Sequence, residues 1–293
     1  MTIDRIYIAR HGFRINWITN DWVSVTGTAR DPPLAPFGLS QAQELADFFC
    51  SLPEEERPSA IFSSPYHRCL QTARPTAEAL KLPLYVDHGR QPIILAPDCI
   101  LHIKGLSEWY SPVAPGTGLH PRPGPAVDLR THVSDVDDAW ETLLYPSRKG
   151  EEIAEVHDRA RALLRALIPT VEHKYNGAHK RILLISHAAT CIALTRALVN
   201  NPALPLRVGC CSVTDFRPRD ASSNAVGNWE TTKLADGTHL KEGASRDWGF
   251  EDAVIEDGKV VNHGGEPGTE YEKDEPVGLQ LQLFPPDLRA QFN

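Results

Sequence analysis

Two apolar runs in this chain stop at a histidine, and that repeated event constrains the fold more than any other feature. The first is Ile3-Asp4-Arg5-Ile6-Tyr7-Ile8-Ala9, which ends in Arg10-His11-Gly12-Phe13-Arg14. The second is Arg181-Ile182-Leu183-Leu184-Ile185-Ser186, which ends in His187. Runs rich in β-branched and aromatic residues read as buried strands. Between them, strand and helix patterns alternate. A helix is predicted over 38–52, with Ala42, Leu45, Ala46 and Phe49 at helical spacing. A strand at Ala60-Ile61-Phe62, a helix over 66–80, a strand at Leu84-Tyr85-Val86 and a long helix over 151–175 follow. This order predicts a three-layer α/β/α fold with a mostly parallel sheet. Ligands of such sheets bind beyond the carboxyl ends of the strands, where His11 and His187 would meet.

The chemistry at those ends is distinctive. Guanidinium charges at Arg10 and Arg14 push a neighbouring imidazole towards its neutral, nucleophilic form. Arginine also grips phosphate oxygens in pairs. The functional reading is a nucleophilic His11 in a phosphate pocket. The competing reading is a strand end with incidental surface charges, and this stretch alone leaves the two balanced. A third strand end, Ser63-Ser64-Pro65-Tyr66-His67-Arg68, places Arg68 near a helix N-terminus, whose positive end favours an anion. His67 is expected to face solvent.

Together, Arg10-His11-Gly12, Ser64-Pro65 followed by Arg68-Cys69-Leu70-Gln71-Thr72-Ala73, and Ile185-Ser186-His187 resemble the histidine phosphatase, or phosphoglycerate mutase-like, superfamily. The three motifs stand in the family's order. The longer run through Ile15-Asn16-Trp17, and Gly105-Leu106-Ser107-Glu108-Trp109-Tyr110, look closer to a fungal branch that includes a transcription-factor subunit domain and its stand-alone relatives. The resemblance implies catalytic roles for His11, Glu108 and His187. His11 would become phosphohistidine, and Arg10, Arg14, Arg68 and His187 would hold the phosphoryl oxygens. Glu108 would protonate the leaving oxygen and then help activate water, with Asp98 the second candidate for that acid. Ser186 and Ala188 depart from the glycines that many members carry around the second histidine. The expected function is hydrolysis of a phosphomonoester without metal or other cofactor. The sugar-phosphate mutases usually carry Glu-Ser after Arg-His-Gly, whereas this chain has Phe13-Arg14, so a phosphatase is preferred over a mutase. The alternative is an assembly or scaffold subunit of a transcription-factor-like complex with a vestigial or weakly active site.

Bulk properties narrow the partners. The formal net charge is −8, so no global basic field exists to hold nucleic acid or an anionic membrane. A phosphorylated small molecule or phosphoprotein is the expected substrate, with protein partners added if the transcription-factor resemblance holds. No signal-peptide pattern opens the chain, and no apolar run approaches a membrane span. The six cysteines form no C-x-x-C pair, which argues against zinc and for a reducing compartment, cytoplasmic or nuclear. Residues 1–293 are expected to form one domain, with a core over about 1–216 and an extension of strands and loops over 217–293. The chain ends soon after the phosphatase-like region, which weighs against the scaffold reading. The loop over 15–36 and the Pro-rich stretch 111–125 are expected to shape the pocket mouth. Pro75 predicts a kink or break in its helix and Pro169 a bend or end. A short helix is expected over 135–144, and strands over 208–216, 226–234, within 249–261 and at 279–283. Arg246-Asp247-Trp248 resembles a C-terminal motif of the same fungal branch, with contact to the pocket not expected.

Overall fold

The computed structural model describes residues 3–87, 105–137, 140, 147–220, 226–253, 255–256, 259–260 and 268–269. Seven of its strands form one sheet: β1 (Arg5–Arg10), β2 (Ala60–Ser63), β3 (Leu84–Val86), β4 (Val136–Asp137), β5 (Arg181–Ser186), β6 (Val213–Pro218) and β7 (Trp229–Asp236). Their order is β4-β3-β2-β5-β1-β6-β7. The first five of that order run parallel, and β6 and β7 are added antiparallel. The expected architecture is therefore observed: a mixed, mostly parallel sheet between helices.

Side-chain alternation builds the three layers. In β1, Ile6 and Ile8 face one core with Ile182 and Leu184 of β5, while Tyr7 and Ala9 face the other with Leu183 and Ile185. The first core is covered by α4 (Ile153–Lys174) and α5 (Ala188–Val199). The second is covered by α1 (Pro36–Ser51) and α2 (His67–Leu80). Because both faces are covered, β1 is buried along its whole length, which explains its unbroken apolar pattern. A bidentate pair, Arg5 Nε and Nη2 to Asp215 at 2.8 and 2.7 Å, ties β1 to β6 at the end away from His11.

Close backbone packing sets where β1 stops. A Cβ on Gly38 would lie 2.1 Å from the Phe13 carbonyl oxygen, and one on Gly12 would lie 2.7 Å from the Gly38 carbonyl oxygen. Only glycine lets α1 pass this close to the chain leaving β1.

Several local expectations are corrected. The helices containing Pro75 and Pro169 neither break nor end at them: α2 and α4 run through both prolines. Residues 136–137 pair with β3 as β4 instead of starting a helix, because extended pairing completes the sheet edge. The strand expected from Val208 starts at Val213, since Cys211 takes a left-handed backbone (φ 54°) and Val208 pairs with Trp248 instead. Within 249–261 a 3-10 turn at Phe250–Asp252 precedes two short antiparallel strands, β8 (Ile255–Glu256) and β9 (Lys259–Val260). The stretch 111–125 stays irregular and ends in the four-residue α3 (Ala126–Leu129). The strand expected at 279–283 and the second acid candidate, Asp98, lie outside the described residues.

Candidate active site

The carboxyl ends of β1, β2 and β5 bring His11, Arg68 and His187 together, as the parallel order requires. The backbone continues β1 pairing as far as the His11 N–H, which donates to the Ser186 carbonyl at 2.9 Å. The His11 and His187 rings meet edge to face with centroids 5.4 Å apart.

The hydrogen bonds assign the histidine tautomers. His11 Nδ1 lies 2.8 Å from the Gly12 carbonyl oxygen, so it carries the proton and donates. The lone pair is then on Nε2. His187 Nε2 lies 2.8 Å from Ser64 Oγ, and its Nδ1 accepts from Arg68 Nη2 at 3.4 Å. Burial first, and then the surrounding guanidiniums, hold both imidazoles well below their ordinary range. Both rings are neutral at physiological pH, the state a phosphorus-attacking nitrogen requires.

Arg68 is fully buried, and its Nη1 pairs with Asp31 at 2.9 Å. Its Nη2 also pairs with Glu108. Desolvation alone would lower its pKa, but the Glu108 and Asp31 carboxylates outweigh that and raise it. Tyr66 stacks on the same guanidinium at 4.4 Å. Glu108 Oε1 lies 3.7 Å from Arg14 Nη1 and 3.8 Å from His187 Nδ1. Arg10 donates through Nη1 to the carbonyls of Val208 and Arg246. Burial, against the pull of Glu108, brings Arg14 down to about 10. Arg10, Arg14 and Arg68 each keep a buried Nε–H without an acceptor. An orphaned buried donor costs about 1–3 kcal/mol, so three in one pocket form a cradle suited to an oxygen-rich anion.

The glutamate is held from behind. Ser186 Oγ donates to the Leu106 carbonyl at 2.6 Å, and Thr190 Oγ1 donates to the Ser107 carbonyl at 2.9 Å. Ser186 thus latches the Glu108 segment onto β5. Beside Glu108 lies a hollow lined by Tyr66, Tyr110, His120, Pro121, Arg122 and Arg148 among others. Of the 111–125 stretch, His120, Pro121, Arg122 and Pro123 line this hollow.

All six expected site residues converge, and the structure adds others. Asp31 anchors Arg68 and accepts the His67 N–H at 2.9 Å. His67 itself is buried, not solvent-facing, because the α2 N-terminus packs under Asp31. Ser64 holds His187. Thr72 Oγ1 accepts the Gly12 N–H at 3.0 Å. Trp17 stacks on Arg14 at 4.4 Å and faces His11 at 6.2 Å. Asp31 sits within the long loop flagged as functional, which was its only signal. Among the described residues no cluster of His, Cys, Asp or Glu could hold a metal ion, and no helix is long and apolar enough to cross a membrane.

The model of the histidine phosphatase superfamily (branch 1) matches residues 6–90. The chain is 30% identical over 285 residues to the transcription factor tau 55 kDa subunit of Saccharomyces cerevisiae, covering 88% of this chain and 61% of that protein. Over these stretches the chain is similar to the histidine phosphatase superfamily. The chain spans about 61% of the length of this relative. Among solved structures, the ecdysone phosphate phosphatase of Bombix mori, in complex with tungstate, superposes with a TM-score of 0.57 at 16% identity. That match covers 85% of this chain and 99% of the other, and is a likeness of fold. A phosphoserine phosphatase from Entamoeba histolytica aligns with a TM-score of 0.47 at 20% identity, over 80% of this chain and 98% of that one.

Proposed function

We propose that this chain is a histidine phosphatase, hydrolysing phosphomonoesters through a phosphohistidine at His11. The observation that carries the reading is the neutral His11 ring, its Nδ1 committed to Gly12, set among three guanidiniums whose buried Nε donors lack acceptors. Phosphoryl transfer demands positioning and charge neutralisation more than covalent help from the protein. The three arginines supply the neutralisation. In the first step Nε2 of His11 bonds to phosphorus as the ester P–O bond breaks, and a proton drawn from solvent passes through the Glu108 carboxyl group to the departing oxygen. In the second, Glu108 takes a proton from water as its oxygen bonds to phosphorus and the P–N bond breaks. The bound dianion opposes the guanidinium field and raises the proton affinity of His187, so that its Nδ1 turns from acceptor to donor towards a phosphoryl oxygen. Residues 1–293 act as one domain in this reading, with a phosphorylated metabolite or protein as substrate.

The test is release of phosphate from an aryl phosphate, with chelator present, by wild type and His11→Ala. Activity that survives chelation and disappears in the variant supports the reading; a folded wild type no faster than the variant overturns it.

The similarity to a transcription-factor subunit favours a second reading, an assembly subunit in the nucleus with a weakly used pocket. Affinity purification that recovers a stoichiometric transcription-factor complex, from a protein with no phosphatase activity, would favour it over the first.

A further inference from the structure

The far end of the described chain returns to the pocket mouth. The 245–248 segment is held by backbone bonds from Cys210 N–H to the Ser245 carbonyl at 2.8 Å and from Val208 N–H to the Trp248 carbonyl at 2.9 Å. At Arg246 the backbone turns left-handed (φ 55°), a conformation that costs a non-glycine residue about 1 kcal/mol. That turn aims the Arg246 carbonyl at Arg10. It also lays the exposed Arg246 guanidinium over Trp17 at 5.4 Å and over Phe13 at 5.6 Å. The Trp17 ring thus contacts Arg246 and also lies 6.2 Å from the His11 ring.

Arg246 differs from the other cations of the mouth. Arg68 is spent on Asp31 and Glu108, Arg14 lies against Glu108, and Arg148 Nε is engaged by the His120 carbonyl. Among the described residues no carboxylate pairs with Arg246. An exposed cation, fixed by two aromatic faces at the rim of an anion pocket, is a ready second contact.

We propose that Arg246, seated on Trp17 and Phe13, forms a subsite for a second anionic group on the substrate, a carboxylate or phosphate carried by the leaving group. This rests on the phosphatase reading for the first site. It makes the substrate class phosphomonoesters that bear another negative charge within a few bonds of the ester. Reach allows a rigid spacer about the size of one aromatic ring, since Arg246 and His11 both lie beside Trp17.

The test compares phenylphosphonate with 3-carboxyphenylphosphonate by calorimetry, so it does not depend on turnover. Arg246→Gly suits the left-handed backbone, keeps the carbonyl that holds Arg10, and removes only the side chain. Wild type should bind the carboxylated ligand about fivefold tighter, the upper range for one exposed charge-assisted pair. Arg246→Gly should lose that preference and change phenylphosphonate affinity less than about twofold, and Arg246→Lys should keep part of the preference. Equal affinities in wild type, or a preference that survives Arg246→Gly, overturn the subsite alone. Binding of neither ligand overturns the phosphate pocket and the subsite with it.

Discussion

Glu108→Gln removes one charge from the pocket while keeping its shape, and the structure assigns opposite signs to its effects on binding and on turnover. The carboxylate occupies Nη2 of Arg68 and stands 3.7 Å from Arg14 Nη1. A phosphoryl oxygen held by those donors would come within about 4 Å of it. At an effective dielectric near 20, one pair of like charges at that distance costs about 4 kcal/mol. Glu108 is 18% exposed, and screening with side-chain relaxation leaves about 1.5 kcal/mol. Inorganic phosphate should therefore bind Glu108→Gln about tenfold more tightly than wild type. Without ligand the variant should be less stable by about 2 kcal/mol, because the buried Arg68 retains only Asp31 as a carboxylate partner. Turnover should fall by about 10²–10⁴, the range for loss of a general acid. Calorimetric titration with phosphate, thermal melts with and without it, and aryl phosphate kinetics read the three effects. Phosphate binding no tighter than in wild type would refute the reasoning, since the carboxylate would then not compete for the guanidinium donors.

Asp31→Asn breaks the fully buried pair with Arg68 and should cost about 3 kcal/mol, seen as a lower thermal midpoint together with weaker phosphate binding. Ser186→Ala orphans the buried Leu106 carbonyl and should cost about 1–2 kcal/mol; because it loosens the Glu108 segment, kcat should fall more than KM rises, and an unchanged kcat would sink the latch. Stability should fall as pH drops from 7 to 5. Burial leads the lowering of His11, His187, His67, His157, His179 and His239, and brings His120 to about 4. Unfolded imidazoles take up protons near pH 6.5 while these folded ones stay neutral, so their stabilisation is present above that value and is lost below it. Each contributes up to about 1.4 kcal/mol per pH unit until its folded pKa is reached. Urea midpoints across that range check the sign, and a midpoint that rises towards pH 5 would contradict it.

Much of this site was legible because its chemistry follows local pattern. The apolar runs ending at His11 and His187 had to be strands, and the strand–helix alternation put their ends on one edge of a parallel sheet. Arg68 was readable because α2 begins just after β2. Glu108 was placed only by resemblance, since it lies in irregular chain that no periodicity describes.

What the sequence by itself determined was the order of elements and the residues at the three strand ends, since both rest on periodicity and on turns a few residues long. Only the tertiary structure decided which partners tune those residues. Asp31 reaches Arg68 from a loop with no repeating pattern, and Ser186 acquires its latch from Leu106 across the sheet edge. Arg246 meets Trp17 and Arg10 because the 245–248 segment pairs with the chain around Val208. Such contacts are set by hydrogen bonds and packing between distant segments, which appear once the chain has closed on itself.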